Sequence, residues 1–203
     1  LCLAQGNAMK ASLYAAICGC LFTSSVYAVD YTGQDHWYIG YQMGTGTGHD
    51  RVDGGIEAEE DFEHTNSQLT LGAVGKGGVR FEISYSKFYV EYDVDGSDEE
   101  LAGWDFDLIV PFTQARVRPY VTAGLGVYKY EGTEEFFASR DGNVGGHSIN
   151  AGAGILVYVI KEFELDVSYR YKRISWEHFT VGGEDVNWVT PMSGLQFGGR
   201  ILF

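Results

Sequence analysis

The feature that most constrains this chain is a period-2 alternation of apolar and polar residues that returns eight times. Successive side chains of a β-strand point to opposite faces, so such alternation marks a strand with two chemically different sides. The runs are His36–Gly44, Asn66–Val74, Val79–Tyr92, Gly103–Phe112, Tyr120–Tyr130, His147–Val159, Phe163–Ile174 and Pro191–Phe203. The clearest sets Phe163, Leu165, Val167, Tyr169 and Tyr171 against Glu164, Asp166, Ser168, Arg170 and Lys172. In the third run the phase slips at Lys87-Phe88, which is read as a β-bulge. No helical periodicity competes with these runs.

Which face carries the charge decides between a soluble and a membrane barrel. One face is almost unbroken apolar and aromatic, and the other mixes Gly, Ser, Thr and charges of both signs. Glycine serves no purpose on the outside of a soluble barrel. Inside an eight-stranded barrel, where room is scarce, it does. The composition agrees, with 28 Gly, 14 Tyr and 12 Phe but only 3 Pro. Connectors 45–65, 93–102, 131–146 and 175–190 are long, whereas 75–78, 113–119 and 160–162 are short. Runs near ten residues with long connectors at one end and tight turns at the other fit transmembrane β-strands. The fold class expected is all-β: an eight-stranded antiparallel up-and-down transmembrane β-barrel, closed so that lipid meets no unpaired backbone, with both termini on the short-turn, periplasmic side.

Residues 1–28 read as an address rather than a part of the fold. Met9-Lys10 opens a positive segment, Ala11 to Phe22 is apolar, and Val26-Tyr27-Ala28 offers a small-residue cleavage site. Met9 is taken as the start, residues 1–8 as an upstream translation artefact, and 29–203 as the barrel domain. A lipobox at Ile17-Cys18-Gly19-Cys20 is the competing reading, but it would cut the apolar stretch short and discard the Ala28 site. Cys2, Cys18 and Cys20 all lie in this leader, so the barrel domain has no thiol for a disulfide or zinc site.

The chain resembles the small eight-stranded outer-membrane β-barrel proteins, akin to the OmpA transmembrane domain and OmpX. The residues that carry the resemblance are the leader, Trp37-Tyr38-Ile39-Gly40, the stretch Arg118-Pro119-Tyr120-Val121-Thr122-Ala123-Gly124-Leu125-Gly126, and the terminal Leu195, Phe197, Gly199, Ile201 and Phe203 at alternate positions. It implies the outer membrane of a Gram-negative bacterium, contact with outer-membrane lipids, and Phe203 as the signal read by the outer-membrane assembly machinery. Members of that group differ in task, so the resemblance implies fold and address alone.

The inward face holds Arg80, Glu82, Asp105, Asp107, Glu164, Asp166, Arg170, Lys172 and Arg200, five acids and four bases. Strand direction puts Arg80, Glu82, Glu164, Asp166 and Arg200 near the short turns and the other four nearer the long connectors. Each layer has both signs, so the expectation is a lumen plugged by ion pairs, with inward Gly124, Gly126, Gly152 and Gly154 making room. The long connectors hold 19 acidic residues against Arg51 and Arg140. They form a solvated acidic surface, with cations or cationic ligands as candidate partners. Asp93–Glu100 has some calcium-loop character, but its glycine is misplaced for an EF-hand. A net charge of −14 argues against nucleic acid as a partner.

No cofactor is expected, and no metal-ligand spacing links His36, His49, His64, His147 and His178. His147-Ser148, with Asn150 and Asp141 near, is faintly similar to the His-x-Ser-Asn of lipid A deacylases. Adjacent residues of a strand point to opposite faces, however, so no catalytic residue is assigned. Trp37, Trp104, Trp176 and Trp188 are read as an interface girdle. The leading reading is a non-enzymatic structural or surface-interaction barrel. An outer-membrane lipid-modifying enzyme and a narrow passive pore stand as alternatives.

Overall fold

The computed structural model describes residues 36–54, 58–92, 98–131, 143–177, 179–181 and 184–203. The leader, and with it the cleavage site, lies outside the described residues, as do Asp93–Ser97 of the acidic stretch. The strands are β1 (His36–Gly54), β2 (Ala58–Val74), β3 (Arg80–Tyr92), β4 (Asp98–Pro111), β5 (Val117–Glu131), β6 (Asn143–Ile160), β7 (Phe163–Trp176), the short β8 (Phe179–Val181) and β9 (Glu184–Leu202). Neighbours in sequence pair antiparallel from β1 to β7, β7 then pairs with β9, and β9 pairs with β1 to close the ring. Eight staves therefore form one barrel, and β8 is a three-residue addition on the outer part of β9.

At the end that holds both barrel termini the turns are tight. Between β2 and β3, Gly77 and Gly78 have φ of 85° and 83°, a left-handed conformation that side chains resist. The closing pair Trp37 and Phe203 exchange two backbone hydrogen bonds of 3.0 and 2.9 Å, which seals the seam at the same end.

The other end departs from the sequence reading. A membrane crossing takes about 9–11 strand residues, yet β1 and β9 have 19 each and β2 has 17. Much of what reads as long connectors is strand that continues beyond the bilayer. The barrel wall changes character on the way. On β1 the outward side chains Trp37, Ile39, Tyr41 and Met43 are apolar, and Thr45, Thr47, His49, Arg51 and Asp53 are polar. Inside, the order is reversed. The membrane half is polar, and the outer half is a hydrophobic core of Phe62, Phe88, Val90, Leu101, Tyr128, Tyr130, Val144, Ile174, Trp176, Trp188 and Met192. One strand thus serves two solvents, apolar-out where it meets lipid and apolar-in where it meets water.

That reversal explains the slip at Lys87-Phe88. There is no bulge: Lys87 pairs with Ser67 and Ala102, and Phe88 with Asn66 and Leu101, in unbroken register. Lys87 still points out and Phe88 in, but the strand has crossed from lipid to water. Among the described residues the register shifts instead between Tyr158 and Ile160 of β6. The girdle reading also divides. Trp37 and Trp104 are 56% and 50% exposed on the lipid face, whereas Trp176 and Trp188 are 2% and 7% exposed. The latter two stack with ring centroids 4.9 Å apart inside the outer core.

Candidate functional site in the barrel lumen

All nine charged residues singled out in the lumen face the interior of the barrel and are buried. They come together in layers. Nearest the short turns, Arg80 donates to both oxygens of Glu164, the longer bond being 2.9 Å, and to the Tyr158 hydroxyl at 3.2 Å. Arg200 stands beside it and reaches two acids from one guanidinium, Glu82 at 2.9 Å through Nε and Asp166 at 2.8 Å through Nη1. Neither arginine exposes any surface. The planar fork of arginine suits this arrangement, because its donors lie in fixed directions toward separate acceptors.

Neutral side chains complete the layer. Tyr38 donates to Glu82 at 2.8 Å, Gln42 to Asp166 at 2.6 Å, and Tyr120 to Asp166 at 2.8 Å. Below it, Tyr38, Val74, Tyr158 and Leu202 form an apolar floor. Arg118, which reads from the sequence as a turn residue, is buried here with its guanidinium 4.4 Å from the centre of the Tyr158 ring. With Arg118 the ion layers have five bases to five acids among the described residues. Its inward parity on the 117–131 run was the signal that could have placed it.

Toward the outside, Lys172 binds Asp105 at 2.6 Å, and Asp105 also accepts from Tyr128 at 2.6 Å, Ser86 at 2.9 Å and Asn150 at 3.1 Å. Arg170 lies 3.5 Å from Asp107 and donates to Thr122 at 3.3 Å. The glycines opposite are a condition of this packing. A side chain at Gly124 would collide with Asp107 and Asn150, and one at Gly126 with Asp105 and Ser148.

Above the ion layers, the aromatic core caps the lumen and surrounds one acid, Asp50. Its carboxylate accepts from Tyr92 at 2.6 Å and from Thr190, which in turn accepts from Trp176 Nε1 at 2.8 Å. Burial pushes the Asp50 carboxyl above the ordinary range, and the hydrogen bonds it accepts pull it partly back. Sequence reading placed Asp50 in a solvated loop.

The other candidates do not assemble. His147 is exposed on the outer wall and Ser148 is buried in the lumen, so the pair faces apart. Among the described residues, no three His, Cys, Asp or Glu side chains gather as a metal site. Phe203 is 69% exposed at the short-turn rim of the outward apolar face.

No protein-family model matches the chain. No curated protein matches it in sequence. Solved structures do match. Neisserial surface protein A (NspA) aligns over 82% of this chain and 97% of its own, at 19% identity and a TM-score of 0.57. The N-terminal β-barrel domain of Pseudomonas aeruginosa OprF aligns over 80% and 97%, at 19% identity and a TM-score of 0.43. The attachment invasion locus protein Ail of Yersinia pestis aligns over 81% and 99%, at 17% identity and a TM-score of 0.39. With the ring of eight staves and the apolar outer belt already in view, the likeness to NspA gives the chain the fold of the small eight-stranded β-barrels of the Gram-negative outer membrane.

Proposed function

We propose that this protein is a closed outer-membrane barrel that works through its outer surface, as a structural or surface-interaction protein, and that its lumen is a plug rather than a channel. The observation that supports this most is the stacking of two unlike barriers in one bore. The ion layers centred on Arg80 and Arg200 fill the membrane half, and the aromatic core from Phe62 to Trp188 fills the outer half. An eight-stranded interior is just wide enough to be filled in this way. The outer half turns Asp53, Glu59, Asp61, Glu63 and Glu91 to solvent, which suits cations or cationic ligands. On this reading both termini are periplasmic, Phe203 is the mark read by the assembly machinery, and residues 1–28 are a signal peptide.

Conductance tests the plug. The purified barrel in a planar bilayer is expected to show no steady current, and Arg200→Ala together with Trp188→Ala is expected to raise brief openings. Steady conductance of the wild-type protein would establish the pore instead.

A further inference from the structure

Two hollows lie one above the other on the outer wall, along the seam where β9 meets β1. The lower one, of about 450 Å³, is on the lipid face. Ile39, Tyr41 and Met43 of β1 and Phe197 and Ile201 of β9 wall it, all of them exposed. Gly199 stands among them with no side chain of its own, and this leaves the trough open.

The upper hollow, of about 490 Å³, opens just beyond the belt, beside Tyr171. Seam pairing lapses there. The register of β1 on β9 runs to Gly48↔Met192 and resumes at Arg51↔Val189, passing over His49, Asp50, Thr190 and Pro191. Pro191 has no N–H to give to the ladder. Gly48 leaves its place to the Phe62 ring, which a side chain there would strike. The hollow therefore reaches the core residues Phe62 and Met192 from outside.

Its rim is acidic. Asp61 lies directly opposite His49, and Glu63 directly opposite Thr47. On the same strand Glu59 is held by Arg51 at 2.8 Å, but neither Asp61 nor Glu63 makes an ion pair among the described residues. Glu63 also lies directly opposite a third acid, Glu91. Like charges so placed repel, and a cation between them relieves the repulsion. Tyr41 and Thr47 are six residues apart on β1, which is about 20 Å of strand. One line of wall thus carries an apolar trough below and an unneutralised acidic rim above.

We infer that this seam is a binding site for a single-chain amphiphile with a cationic head, an alkylammonium whose charge meets Asp61 and Glu63 and whose chain lies in the trough over Tyr41, Met43 and Phe197. The occupant follows from charge and from order along the strand. An anionic head is repelled by the rim, and a neutral one leaves its acids unpaired. A cation without a chain leaves the trough unused. The inference rests on the proposed reading of the outer half as a surface that meets cations, and gives the ligand its class and place.

The test uses the full barrel in phosphatidylcholine nanodiscs with hexadecylammonium that carries a photoreactive diazirine near its chain end. Cross-linked residues are mapped by mass spectrometry. Labelling is expected at Tyr41, Met43, Phe197 and Ile201, and not at Phe106 and Leu125 on the opposite wall. The matching hexadecanol probe is expected to label both walls evenly. Asp61→Asn combined with Glu63→Gln is expected to lower seam labelling by the ammonium probe roughly tenfold, the effect of losing two partly exposed ion pairs. Asp53→Asn, farther out on β1, is expected to leave it unchanged. Even labelling of the two walls by the ammonium probe would overturn the site, as would seam labelling equal for both probes or equal in wild type and the double variant. Displacement of the probe by spermine at equal concentration would overturn the seam site and leave the cation-meeting surface standing. Absence of binding by either cation would overturn both.

Discussion

Arg200 shows how much one side chain can hold in a bore this narrow. It bridges Glu82 and Asp166 while wholly buried, so its removal leaves two carboxylates facing each other without their shared cation. Breaking a buried pair from one side costs about 3–5 kcal/mol. Arg200→Ala should lower the free energy of unfolding in urea by that amount, and an unchanged midpoint would show that water already screens these charges. Asp50 should behave in the opposite sense. Its carboxyl is raised above the ordinary value by burial, so between the unfolded and folded values the folded state binds more proton. Stability then falls as pH rises through that window. Asp50→Asn should raise the unfolding midpoint at neutral pH and leave it nearly unchanged below the ordinary carboxylate range. A midpoint lowered at both pH values would mean that the hydrogen bonds from Tyr92 and Thr190 require the charge.

At the scale of the element, each stave is a single strand with two folding environments. The lipid half gains from outward apolar side chains and the outer half from inward ones, so the two halves should differ in stability. Trp188 packs against both Trp176 and Tyr130, the latter edge-on with ring centroids 5.2 Å apart. Trp188→Ala should cost about 3–5 kcal/mol, the usual range for a large aromatic removed from a core. The loss should be local. Hydrogen exchange should quicken at Arg51–Gly54 and Val186–Val189, while Phe163–Asp166 in the membrane half stays protected. Uniform loss of protection would show that the two halves fold as one unit.

For the whole molecule, pairing between β1 and β9 closes the ring and removes its free edges, and Phe203 stands at that seam. Its side chain faces lipid and packs into no core cluster, so its loss should cost little once the barrel is formed. Phe203→Ala should reduce the amount of folded barrel in cells, seen as less heat-modifiable band on electrophoresis, and leave the unfolding midpoint of the purified protein near wild type. Normal amounts in cells would remove Phe203 as the assembly mark.

Strand number, direction and the inward set from Arg80 to Arg200 were legible in the chain, because a period of two assigns every residue to one side or the other, whatever the neighbours are. The sorting of those charges into layers was legible for the same reason, since position along an up-and-down strand is height in the barrel. What lay beyond the sequence was where lipid ends and water begins. Alternation looks the same on either side of that boundary, with only its phase reversed, so Lys87-Phe88 read as a bulge and the outer strands as loops. Trp176 and Trp188 looked like girdle residues for the same reason, because a tryptophan near a strand end suits an interface as well as a core. Only the closed ring, which brings Phe62, Tyr130, Trp176, Trp188 and Met192 together from four strands, decides that the outer half has its own core. The same closure brings Arg200 between Glu82 and Asp166, three residues on three different strands whose meeting depends on the curvature of the wall.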